Sequence, residues 1–121
     1  MSVFSNIDDS KKIHISKYFF IMEDNYPVSP GHLLIISKSS KKDYFQLNAE
    51  EKSDLVVQID RAKAFIELKH QPDGYNIGMN CGEDAGQTVM HFHCHVIPRY
   101  KGDVDDPTGG IRNTIPGKGR Y

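Results

Sequence analysis

At 121 residues, with 38% hydrophobic and 26% charged side chains, the chain can bury one globular core, and it carries no fibrous or disordered signature. Fifteen Lys and Arg against sixteen Asp and Glu exclude a general polyanion-binding surface while leaving room for a local anion site, so no nucleic-acid partner is expected. The polar start MSVFSNIDDSKK, the lack of any apolar run near the roughly 20 residues of a membrane span, and only two cysteines, Cys81 and Cys94, lead us to expect a cytoplasmic, reduced protein without membrane or disulfide framework.

In chain order, Ile13–Ile15 and Tyr18–Met22 are short apolar runs that suit paired strands. The following EDNYPVSPG carries two prolines and a glycine, which is turn chemistry, and His32–Ser37 is a continuous apolar run suited to a buried strand. A helix is predicted from Asn48, an N-cap whose capping box is completed by Glu51, to about His70, before Pro72 and Gly74. Leu55, Ile59, Ala62 and Ile66, with Val56 beside them, mark its apolar face, and it is read as a packing helix without chemistry. Two more strands, Tyr75–Asn80 and Thr88–Ile97, flank CGEDAGQ, which suits a hairpin loop with Gly82 and Gly86 at its ends. After Pro98 the chain is rich in Gly, Pro and charge and should be mostly loop. The order predicts one α+β domain over 1–121, an antiparallel sheet with one long helix and a loop-rich tail 100–121.

The informative segment is QTVMHFHCHVIPR, which holds His91, His93 and His95 with Phe92, Cys94 and Val96 between them. Alternate residues of a strand share a face, so the three imidazoles are expected on one side and the apolar residues in the core. Three readings compete: a surface strand that happens to carry histidines, a metal site, and phosphorus chemistry. One straight strand spaces three ligands poorly around a tetrahedral ion. A neutral imidazole, by contrast, is a nucleophile near pH 7, and flanking imidazoles can hold phosphoryl oxygens.

His91–Ile97 resembles the signature of the histidine triad, or HIT, family. DNYPVSPGHLLIISK at 24–38 resembles the block that precedes the triad in that family, with His32 as a fourth histidine, and NCGEDAGQTV at 80–89 resembles the loop before the triad. The tail GGIRNTIPGKGRY resembles those of some microbial members, and VSPGH with GQTV looks closest to the dinucleoside polyphosphate hydrolase branch, that of the fragile histidine triad.

The resemblance covers a family-like core of about 19–99 and implies a HIT-like fold and a nucleotide hydrolase or nucleotidyltransferase. His93 would attack the α-phosphate to give a nucleotidyl-histidine that water then cleaves, with His91 and His95 orienting it and holding phosphate. His32 would support their hydrogen bonds. Asp24 would accept from ribose hydroxyls, for which the alternative is an Asp that stabilises the turn before Pro27. Asn80 and Gln87 would lie at the phosphate and leaving-group side, and Thr88 would assist the leaving group. Arg99 and Arg112 are the basic candidates for distal phosphates. The expected substrates are purine nucleotides, either dinucleoside polyphosphates or nucleoside phosphoramidates. No tightly bound cofactor or protein-held metal is expected, and any magnesium would arrive with the polyphosphate. A homodimer is implied. The rival readings are a non-catalytic nucleotide-binding module and a metallohydrolase with histidine ligands.

Overall fold

The computed structural model describes residues 2–121. Five strands, β1 (Lys12–Ile15), β2 (Phe19–Glu23), β3 (Leu33–Ser37), β4 (Gly74–Gly78) and β5 (His93–Arg99), form one antiparallel sheet in the order β1-β2-β3-β5-β4. A single helix, α1 (Ala49–Glu67), joins β3 to β4. The predicted α+β class and element order stand, with shifts at several boundaries.

β2 and β3 are buried almost throughout, because both faces of the sheet are covered. On one face Phe19, Ile21, Leu33, Ile35, Cys94 and Val96 pack with Leu55, Ala62 and Ile66 of α1. On the other, Phe20, Met22, Leu34 and Ile36 pack against Phe4 and Ile7 of the N-terminal segment. Register places His93 opposite Ile36 and His95 opposite Leu34, so both histidines lie on the second face, away from the helix.

The helix starts where the capping box predicts: Asn48 Oδ1 accepts from the Glu51 amide at 2.8 Å, and Glu51 Oε1 accepts from the Asn48 amide at 2.9 Å. It ends at Glu67 rather than His70, with the Lys69 and His70 amides still reaching the Ile66 carbonyl. Val56 is exposed rather than packed, and the buried face instead includes Glu51 and Gln58. Both are satisfied on their donor or anionic side, Glu51 by Ser39 and Lys41, Gln58 through a bond from its amide nitrogen to Asp54.

The two final strands are shorter than expected. β4 stops at Gly78, and β5 begins at His93 instead of Thr88. The reason lies in the backbone: the Phe92 carbonyl still accepts from the Ser37 amide of β3 at 3.2 Å, but the Phe92 amide donates to the Lys41 carbonyl at 2.7 Å, so the ladder ends there. The β4–β5 connection is therefore longer than a tight hairpin and contains a short helical turn at Glu83–Ala85. Gly82 and Gly86 bracket that turn at φ 101° and 91°, where a Cβ would be strained.

Candidate active site

β5 alternates half-buried and buried residues from His93 to Arg99. His93 and His95 therefore share the open face, and their rings sit 5.3 Å apart, centre to centre. His91 departs from the expected row. It lies before the strand, which begins at His93, and is buried.

Each of the four rings has at least one nitrogen committed, and the commitments assign the tautomers of the neutral rings. His93 Nδ1 lies 2.8 Å from the His91 carbonyl, which can only accept, so Nδ1 carries a proton and in the neutral ring Nε2 holds the lone pair. His91 Nε2 likewise donates to the Ser37 carbonyl at 2.7 Å, which leaves Nδ1 to accept from Ser2 Oγ, also at 2.7 Å. The Val28 amide donates to His32 Nδ1 at 3.2 Å, so the His32 proton resides on Nε2. That nitrogen donates to His95 Nδ1 at 2.9 Å, leaving His95 with its proton on Nε2. One strand thus presents a bare imidazole nitrogen at His93 and an imidazole N–H at His95.

Burial, together with the neighbouring His93 and His32, pushes the His95 pKa down to about 4, against the opposing pull of Asp24. Burial also lowers His32, again against Asp24. Near neutral pH both rings are uncharged. The Asp24 contacts, 3.4 Å to His32 Nε2 and 3.8 Å to His95 Nδ1, then join a carboxylate to neutral rings. The other Asp24 oxygen accepts from the Tyr26 amide at 2.8 Å, the turn-stabilising bond expected of an Asp before Pro27. Donor atoms of Asp24, His32 and His95 lie within 4.8 Å of one another, so these are the residues with geometry for a metal ion. A hydrogen bond already knits the two histidines.

The remaining candidates divide. Asn80 and Thr88 are exposed on the β4–β5 connection, Thr88 on loop rather than strand. Gln87 is buried, and its amide is consumed by the backbone: Oε1 accepts from the Gly82 amide, and Nε2 donates to the Lys42 and Val89 carbonyls. It braces the connection rather than facing phosphate. Arg112 is occupied within the tail, donating to the Lys118 carbonyl and stacking at 4.5 Å over Tyr121. Arg99 forms a two-pronged pair with Asp103 and donates to Asn76. Arg99 thereby engages all three of its guanidinium nitrogens, whereas at Arg112 the hydrogen bond takes Nε alone.

Sequence reasoning missed the N-terminal contribution. Ser2 bonds His91, and the Phe4 ring packs edge-on against His91 and His93, at 5.8 and 5.1 Å between centres. The apolar pair Val3–Phe4 within a polar stretch was the only signal. Nothing in the side-chain pattern could have marked the Ser37 and His91 carbonyls.

Comparisons with known proteins agree with this geometry. A HIT domain model matches residues 6–102. The chain is 38% identical over 80 residues to an asymmetrical bis(5'-nucleosyl)-tetraphosphatase of Schizosaccharomyces pombe, covering 66% of this chain and 44% of that protein. It is 33% identical over 87 residues to a bis(5'-adenosyl)-triphosphatase of Saccharomyces cerevisiae, covering 71% and 42%. The chain thus spans less than half the length of these curated relatives. Among solved structures, a HIT family protein from Bacillus anthracis superposes with a TM-score of 0.72 at 36% identity, covering 77% of this chain and 66% of that one. With a HIT domain matched over residues 6–102, most of its length, the chain belongs to the HIT family.

Proposed function

We propose that the chain is a nucleotide hydrolase or nucleotidyltransferase that cleaves at an α-phosphate through a nucleotidyl-histidine, with dinucleoside polyphosphates as the leading substrates and nucleoside phosphoramidates as the second class. The observation that carries this reading is the His93 hydrogen bond: Nδ1–H is held by the His91 carbonyl, so in the neutral ring it is Nε2 that carries the lone pair. The names of the yeast relatives support the same substrate class.

In this mechanism His93 Nε2 attacks the α-phosphorus, and the bond from phosphorus to the leaving oxygen breaks with its electron pair on that oxygen. The adjacent His95 Nε2–H hydrogen-bonds the leaving oxygen as its charge grows. The His91 carbonyl stabilises the positive charge that the His93 ring acquires. Water then attacks phosphorus, the phosphorus–nitrogen bond breaks, and a nucleoside monophosphate leaves. His32 holds His95 in its donor tautomer, and the buried His91 orients His93 through its carbonyl. Asp24 retains lone pairs for ribose hydroxyls, while Asn80 and Thr88 are placed on the loop that would meet phosphate oxygens. Any magnesium enters as a companion of the substrate.

No helix is long and apolar enough to cross a membrane among the described residues. We place the protein in the cytoplasm, where two free cysteines are at home. β4 forms an edge of the sheet, and a homodimer would pair it with its symmetry mate.

The covalent step is tested by mixing the protein with an α-labelled dinucleoside polyphosphate and quenching in alkali, where a phosphorus–nitrogen bond persists. Wild type should retain label that acid releases as nucleoside monophosphate, and His93→Ala should retain none while still binding nucleotide. Hydrolysis by His93→Ala at near wild-type rate would remove His93 as nucleophile. Nucleotide binding by the wild type with no single-turnover cleavage would make the protein a binding module instead.

A further inference from the structure

The carbonyl that takes the His93 Nδ1–H belongs to the peptide between His91 and Phe92, and that peptide is anchored at each end. At the Phe92 end its N–H donates to the Lys41 carbonyl at 2.7 Å. Because the peptide is planar and trans, the His91 oxygen then points the opposite way, where it lies 2.8 Å from His93 Nδ1. At the His91 end no ladder pairing helps, since β5 begins only at His93. The His91 side chain, 2% exposed, is what holds that end.

That side chain fits in one way. Its Nε2 faces the Ser37 carbonyl and its Nδ1 faces Ser2 Oγ, each at 2.7 Å. A carbonyl only accepts, so in the neutral ring Nε2 carries the proton and Nδ1 needs a donor. Ser2 is set for that part: the Phe4 amide donates to its oxygen at 3.1 Å and leaves the hydroxyl proton for His91. A ring turned over would lose both bonds, and the other tautomer would set a bare nitrogen against the Ser37 carbonyl. The hydroxyl arrives on a segment docked by packing, with the Phe4 ring edge-on to His91 and His93 and Ile7 on the small core beneath.

We propose that Ser2 is a positioning residue for the nucleophile: its hydroxyl locks the His91 ring, the ring fixes the His91 carbonyl, and the carbonyl holds His93 with Nε2 toward phosphorus. The inference rests on the hydrolase reading above and adds to it a residue outside the triad, brought by a segment outside the sheet. Ser2 acts through His91, so its loss should slow the attack and leave nucleotide affinity alone.

The test is a single-turnover series with α-labelled diadenosine tetraphosphate, quenched in alkali, which separates the rate of His93 labelling at saturation from the concentration that gives half that rate. Ser2→Ala should label about five-fold more slowly, with the half-saturating concentration within about two-fold of wild type. Ser2→Thr, which returns the hydroxyl, should recover most of the rate. Ile7→Ala is the control for docking, because it weakens the packing of the same segment and keeps the hydroxyl. It should label at the wild-type rate. Nitrogen-15 NMR of the imidazoles reads the intermediate link: His91 should be a single Nε2–H tautomer in wild type and Ser2→Thr, and a mixture in Ser2→Ala. The positioning role is overturned by any of four results: an unchanged rate in Ser2→Ala, a change confined to half-saturation, the same slowing in Ile7→Ala, or an unchanged His91 tautomer in Ser2→Ala. If wild type labels and Ser2→Ala labels equally fast, only the role of Ser2 has failed. If wild type forms no labelled protein and cleaves no nucleotide, the hydrolase reading falls and this proposal falls with it.

Discussion

His95 is held neutral by the same contacts that orient it. Burial disfavours its charged form, and His32 donates into the nitrogen that protonation would otherwise use. Its pKa is pushed down to about 4 from the usual 6.5, so across that interval the unfolded chain binds a proton at this ring and the folded chain does not. The sign follows directly: stability is undiminished above 6.5 and declines as pH falls from 6.5 toward 4. An NMR titration of the ring should show its midpoint near 4. His32→Ala removes a lowering neighbour and opens the pocket, so the midpoint should move up toward 6.5. A His95 midpoint already at 6.5 in the wild type would refute the assignment. Gln87 is a residue-scale case of a different kind. Gln87→Ala leaves the Gly82 amide and the Lys42 and Val89 carbonyls without their side-chain partner. A loss of roughly 1–3 kcal/mol in denaturant unfolding is expected. Gln87→Glu, which keeps the acceptor for Gly82 but sets a buried carboxylate oxygen against the Lys42 and Val89 carbonyls, should cost at least as much.

At the scale of elements, the N-terminus of α1 does more than start a helix. Glu51 is buried, caps Asn48 and accepts from Ser39 and Lys41; the Lys41 carbonyl in turn receives the Phe92 amide beside His91. Helix start, β3–α1 connection and triad are thereby one hydrogen-bonded chain. Burial pushes the Glu51 carboxyl up, but the bonds from Asn48, Ser39 and Lys41 outweigh it and hold the pKa below 4.5. A depressed carboxylate stabilises the fold above its unfolded pKa, and that contribution is lost as pH falls through the folded value. Glu51→Ala should cost roughly 2–3 kcal/mol near neutral pH, and the gap from wild type should narrow as the solution is acidified below 4.5. A pH-independent gap would show that shape, not charge, is what Glu51 contributes. The capping box was legible in the sequence because its two residues stand at a fixed spacing. The true start of β5 was not, because Val89 and Met90 read as strand formers, and it is the Lys41 carbonyl, distant in sequence, that takes the Phe92 amide and ends the ladder there.

For the whole molecule, the alternation Phe92, Cys94, Val96 against His93 and His95 announced which face would be core and which would carry chemistry. It could not announce what covers the second face. That cover is the N-terminal segment: Phe4 and Ile7 close over Phe20, Met22, Leu34 and Ile36, and the same Phe4 ring lies against His93. The segment therefore completes a second small core and shields one flank of the reactive ring. Phe4→Ala removes apolar contact from the core and the edge-on ring from His93 together. It should lower unfolding free energy by roughly 2–3 kcal/mol, less than a fully buried aromatic because Phe4 is only partly enclosed. Diethyl pyrocarbonate modification of His93, followed by peptide mapping in the folded state, should be several-fold faster in the variant. Phe4→Leu, which restores apolar bulk without the ring, should recover most of the stability and only part of the protection. If Phe4→Ala is destabilised but His93 reacts at the wild-type rate, the segment serves the core alone and does not screen the nucleophile.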